Sequence, residues 1–229
     1  SPKDDIYYVS SARLGSIGAV KTDGSYRVIY QGNELKSTYG IKLHPDGKQL
    51  FACAADANYS KATSPDTYRK MARVVSIDLA TGKKVADIDL SGLVPGKHFA
   101  NDLTFDKSGN AYVTDSFANV IYKISGGRAT VFAKSALFDT QGVGLNGIVW
   151  HPDNYLVVAS SGTGSLFRID VKNPAKVERV VLPQFIMNAD GLLLTDPTTL
   201  IVVQNGGTNR IHKLKSADGW KSATIEAST

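Results

Sequence analysis

The sequence is poor in the residues that build metal clusters, disulfide scaffolds and membrane spans. It holds one cysteine, Cys53, and four histidines in 229 residues. A single thiol forms neither an intrachain disulfide nor a multi-thiolate zinc site, and Cys53 lies in an apolar run as a small core side chain would. No stretch approaches the ~18 consecutive apolar residues of a membrane helix, which excludes that kind of span. Helical periodicity is nearly absent, with short helical turns expected only within residues 57–72 and 134–138. The 26 basic and 21 acidic side chains leave a net charge of +5, but the cations are spread along the chain. Nucleic-acid partners are therefore not expected.

What the chain has is repetition. Four segments align: YGIKLHPDGKQLFACAAD from Tyr39, NDLTFDKSGNAYVTDS from Asn101, NGIVWHPDNYLVVASSG from Asn146 and DGLLLTDPTTLIVVQNG from Asp190. Each reads as a strand, a polar turn and a second strand. A third strand follows, as NVIYKIS, GSLFRID and NRIHKLK, with looser copies from Ala72 and Ser16, and a fourth closes each unit. Asn101, Asn146 and Asp190 are spaced 45 and 44 residues apart. Four short strands per unit of ~40–50 residues are the signature of a propeller blade.

The expected fold is an all-β propeller in one domain spanning residues 1–229. A partial blade covers 1–36, and complete blades cover approximately 37–91, 92–135, 136–183 and 184–229. Three strands in the first unit and four in each of the others predict four complete blades and a partial one, an incomplete six-bladed ring.

The repeat also sorts residues by face. If the inner strand of each blade descends along a central channel, His44 and His151 fall in turns at the bottom. Tyr39, Asn101, Asn146 and Asp190, at the inner-strand starts, share one column at the top. Their amide and carboxylate oxygens are hard ligands of the kind calcium or magnesium takes. The same residue types also cap and turn backbone before strands, and both readings stand at this point. His98, in a loop leading to an inner strand, is either a proton shuttle or a solvated loop residue. His212 alternates within a third strand as a structural residue. No dinucleotide fingerprint, phosphate loop or nucleophile elbow is present. The glycine-rich SSGTGS from Ser160 matches turns in sibling blades.

In FANDLTFDKSGNAYVTDS, GLNGIVWHPDNYLVVASSG and NADGLLLTDPTTLIVV the chain resembles the gluconolactonase and regucalcin (senescence marker protein) family of six-bladed propellers, in the wider group of paraoxonase and strictosidine synthase-like proteins. The resemblance implies a divalent metal, calcium by preference, at the channel mouth. It implies that Asn146 and Asp190 are metal ligands, with Asp190 also a general base. Asn101 becomes a substrate contact or a further ligand. From the repeat itself, Tyr39 in the same column is a candidate substrate-binding residue and His98 in the top loop a second candidate for proton transfer. The family's first-blade glutamate has no counterpart, and His98, Phe99 and Ala100 stand where its substrate-contacting arginine would precede Asn101. The expected activity is metal-dependent hydrolysis of a lactone or related ester, a small-molecule substrate. The alternative is a non-catalytic propeller that binds a ligand or partner protein on one face. A sequence beginning at Ser1 predicts a processed or trimmed chain and, with the resemblance, an exported protein, periplasmic or extracellular.

Overall fold

The computed structural model describes residues 5–229. Among the described residues nineteen strands form five antiparallel sheets in strict chain order. The first sheet holds β1 (Ile6–Ser10), β2 (Ser16–Lys21) and β3 (Tyr26–Gln31). The second holds β4 (Ser37–Leu43), β5 (Gln49–Ala55), β6 (Ala72–Asp78) and β7 (Lys84–Asp89). The third holds β8 (Ala100–Phe105), β9 (Ala111–Asp115), β10 (Val120–Ser125) and β11 (Arg128–Lys134). The fourth holds β12 (Leu145–His151), β13 (Tyr155–Ser160), β14 (Ser165–Asp170) and β15 (Val177–Arg179). The fifth holds β16 (Ala189–Asp196), β17 (Thr199–Gln204), β18 (Arg210–Lys215) and β19 (Thr224–Ser228).

The inner strands β4, β8, β12 and β16 pack side by side in succession. The architecture is an all-β, five-bladed propeller, and this overturns the expectation of an incomplete six-bladed ring. A period of about 45 residues reports the size of a blade and carries no information on how many blades share an axis. Among the described residues no helix is long and apolar enough to cross a membrane.

The core is divided between the blade interfaces. One apolar cluster joins the first and second blades, and three more join the second to the third, the third to the fourth, and the fourth to the fifth. Neighbours in one strand serve opposite interfaces: Ala52 and Ala54 face the first blade while Cys53 faces the third. Likewise Leu156 and Val158 face the third blade, and Val157 the fifth. Central blades bury both faces, so their strands read as unbroken apolar runs rather than alternating ones. Each fully buried aliphatic side chain contributes about 1.5–3 kcal/mol.

No helix forms within 57–72; the segment is built of turns and bends, with one helical-type turn where Tyr68 N donates to the Ser64 carbonyl (2.9 Å). Asp56, fully buried, holds it. Its Oδ1 accepts from Asn58 N (3.2 Å) and Thr63 Oγ1 (2.9 Å), and its Oδ2 from Ser64 N (3.3 Å) and Thr67 Oγ1 (2.7 Å). In the second segment a short 3-10 turn covers Ala136–Phe138, capped by Ser135.

Candidate functional site

In four blades the inner strand breaks register with its neighbour at the same place, between Thr38 and Ile41, Ala100 and Leu103, Leu145 and Ile148, and Ala189 and Leu192. Such a bulge re-aims the side chains inside it. The two skipped residues are Tyr39–Gly40, Asn101–Asp102, Asn146–Gly147 and Asp190–Gly191. The second position is a close approach between blades: a Cβ on Gly147 would collide with the Asp190 carbonyl, and one on Gly40 with the Asp102 carboxylate. Glycine is required there wherever the neighbouring inner strand comes this near.

The four first positions meet in one cavity of about 350 Å3, walled also by Tyr59 and Phe99. Tyr39, Asn101, Asn146 and Asp190 also line a neighbouring cavity of about 260 Å3 that reaches Asp102. The column read from the repeat is thus a shared site.

A relay of hydrogen bonds orients these groups. Asn101 Nδ2 donates to Ser116 Oγ (2.8 Å), which donates to the Leu145 carbonyl (2.5 Å). Asn146 Nδ2 donates to Ser161 Oγ (3.0 Å), which donates to the Ala189 carbonyl (2.6 Å). Asn205 Nδ2 donates to the Asp190 carboxylate. Each tether starts just past the second strand of a blade, and each serine also fastens the next inner strand immediately before its own site residue. With the amide nitrogens so engaged, the amide oxygens remain as the acceptors the site can offer.

Two carboxylates share the channel. Burial pushes the Asp190 carboxyl above the ordinary carboxylate range, against the Asn146 amide that favours its charge. Asp102 is raised by burial as well, with the charge of Asp190 adding to the rise and Lys42 opposing it. Its Oδ1 accepts from Leu103 N (2.8 Å) and its Oδ2 from Ile148 N (3.2 Å). Two like charges in one low-dielectric channel disfavour full ionisation of both.

Tyr39 is edge-on to Phe99, with ring centroids 4.5 Å apart. Its buried hydroxyl has no partner within hydrogen-bond distance among the described residues, and the Oγ of nearby Ser37 is engaged by the Ala12 carbonyl (2.6 Å).

His98 does not line either cavity. It is buried, with Nδ1 2.8 Å from Asp115 Oδ2, and that bond raises its pKa against the cost of burial. Asp115 also accepts from Tyr122 (3.2 Å) and from the backbone N–H groups of Phe99 (2.8 Å), Phe117 (3.1 Å) and Ala118 (3.0 Å). This cluster pins the loop that places Phe99 against the cavity.

Asp102, Ser116, Ser161, Asn205, Tyr59 and Phe99 join the site without having been singled out from the sequence. For Ser116, Ser161 and Asn205 a signal existed, because they occupy one column of the repeat at the end of TDS, ASS and QN. Asp102 was legible as the one acidic residue in a column otherwise filled by Gly40, Gly147 and Gly191.

Neither a protein-family model nor a curated protein matches the sequence. Solved structures do. The chain is similar to Mala s 1, the major allergen of Malassezia sympodialis, with a TM-score of 0.77 and 19% identity, over 98% of this chain and 75% of that one. It is similar to virginiamycin B lyase from Staphylococcus aureus, with a TM-score of 0.66 and 17% identity, over 94% of this chain and 68% of the lyase. A luciferin-regenerating enzyme matches with a TM-score of 0.68 and 14% identity, over 97% of this chain and 78% of that enzyme. The likeness is one of fold. At these identities it extends to neither substrate nor mechanism.

Proposed function

We propose that the protein is a metal-dependent hydrolase of lactones or related esters, acting on a small molecule at the mouth of the channel. The observation that carries this reading is the convergence of Asn101, Asn146 and Asp190, from three successive blades, on one aromatic-walled cavity. The resemblance to the gluconolactonase and regucalcin family supports it; the likeness to a lyase and a luciferin-regenerating enzyme is one of fold.

The donor set is entirely oxygen, one carboxylate and two amides at the rim, which fits a hard divalent cation such as calcium. Asn101, Asn146 and Asp190 would hold it. When bound, such an ion supplies charge that polarises a substrate carbonyl and acidifies water. The chain's own residues supply the rest. Asp190, at the rim of the cavity, is the carboxylate placed to accept a proton from the attacking water. Tyr39, Phe99 and Tyr59 offer apolar walls to the substrate body, and Ser116 and Ser161 hold the two amides in place.

Turnover of a panel of γ- and δ-lactones and aryl esters is the test, measured with calcium, with chelator, and for Asp190→Asn. The expected result is hydrolysis lost on chelation and reduced at least ~100-fold in the variant. Activity untouched by both treatments overturns the mechanism.

A second reading, a propeller that binds a small ligand without turnover, is favoured by a different observation. The cavity is walled by the aromatic rings of Tyr39, Tyr59 and Phe99, which suits retention of a small ligand without any metal. The two readings separate in one experiment. Calcium-induced thermal stabilisation with lactone turnover supports the hydrolase, whereas stabilisation by a small ligand without turnover supports the binding protein.

A further inference from the structure

A third cavity, of about 480 Å3, lies on the outer flank of the fourth blade, away from the channel residues. Its origin is local. The outermost strand β15 is three residues long and pairs with β14 only as far as Arg179 opposite Phe167. Val180 N still donates to the Leu166 carbonyl (2.8 Å), and then the chain crosses towards the fifth blade. There Val181 N donates to the Lys221 carbonyl and Ala223 N to the Val181 carbonyl, both at 2.9 Å. It returns to the fourth blade where Ile186 N donates to the Gly164 carbonyl (2.8 Å). The segment between these ties, with Gly164 and Ser165, lines the cavity.

Three features of the lining point to a ligand. Val181 and Phe185 are 68% and 64% exposed, although they stand beside a cavity able to take apolar groups. Ser165 is 2% exposed, yet its Oγ has no hydrogen-bond partner, and a buried unpaired hydroxyl is costly. Arg179 carries a guanidinium with no ion pair among the described residues, poised 6.0 Å over the Phe167 ring. The adjacent Glu178 does not neutralise it, since that carboxylate is taken by Arg168 (3.3 Å) and Lys176 (2.9 Å).

We propose that this flank cavity is a binding site for a small monocarboxylate with an apolar body. The carboxylate pairs with Arg179 and accepts from Ser165, and the apolar body lies against Val181, Leu182 and Phe185. A planar guanidinium matches a carboxylate in geometry as well as charge, and the volume falls in the range of about 300–1,000 Å3 typical of small-molecule sites. The proposal is independent of the channel chemistry.

Isothermal titration of the full chain with octanoate, 1-octanol and acetate tests it. Octanoate is expected to bind at one site, with octanol and acetate each at least about tenfold weaker, because each lacks one half of the recognition. Arg179→Gln, at an exposed position, is expected to weaken octanoate about tenfold, about 1.4 kcal/mol, and to leave octanol unchanged. Asp190→Asn is expected to leave octanoate binding unchanged, which assigns the site to the flank. The proposal is overturned if octanoate shows no saturable binding at millimolar concentration, if octanol matches it, if Arg179→Gln has no effect, or if Asp190→Asn abolishes binding.

Discussion

Replacing Asp115 by alanine tests the architecture that places Phe99 at the site. The carboxylate accepts five hydrogen bonds, from His98, Tyr122 and the N–H groups of Phe99, Phe117 and Ala118. Alanine leaves all five donors without their acceptor, and each buried donor so abandoned costs about 1–3 kcal/mol. Local relaxation and entry of water recover part of this, so the expected net loss is about 3–5 kcal/mol, as for removing one partner of a buried pair. At this chain length about 2–4 °C of melting temperature accompanies each kcal/mol, which gives a fall of about 6–20 °C. Asp115→Asn keeps an acceptor oxygen for the three backbone donors and is expected to lose about 1–2 kcal/mol. Urea denaturation followed by circular dichroism measures both variants against the parent. A loss below about 1 kcal/mol for alanine would refute the reasoning, because it would mean that the five contacts are not formed together in the folded chain.

Two further outcomes follow from the same geometry. His98 has a folded pKa raised above its ordinary 6.5, chiefly by the bond to Asp115. A raised histidine contributes stability that is full below pH 6.5 and lost as pH climbs through the folded pKa, so the parent should weaken over that interval and His98→Gln should not; parallel pH-dependent unfolding curves for the two would contradict it. Gly147→Ala, which drives a Cβ into the Asp190 carbonyl, is expected to cost about 1–3 kcal/mol and to weaken ligand binding at the channel, measured by denaturation and by titration with the best lactone.

The site was legible in part, and its residues show why. Asn101, Asn146 and Asp190 could be aligned because they repeat at a spacing the eye can find, and repetition about an axis brings equivalent positions together. Ser116, Ser161 and Asn205 repeat equally well, yet serine after a strand is so common in turns that nothing in the sequence marks it as the tether of an amide one strand away. His98 shows a different limit. A histidine in a polar loop three residues from a site asparagine reads as a proton shuttle or as a solvated loop residue, and the fold turns it inward onto Asp115, 17 residues further along.

The sequence by itself determined the blade: strand lengths, turn positions and the apolar runs that demand burial on both faces are local properties, and local propensity together with periodicity specifies them. Tertiary structure alone decided the rest. The number of blades around the axis depends on how inner strands such as β12 and β16 pack, with Gly147 set against the carbonyl of Asp190, and no short window of sequence encodes that angle. The raised pKa values of Asp102 and Asp190 likewise arise from burial created by blades distant in sequence, and the flank cavity exists because β15 leaves its partner after three residues to join another blade.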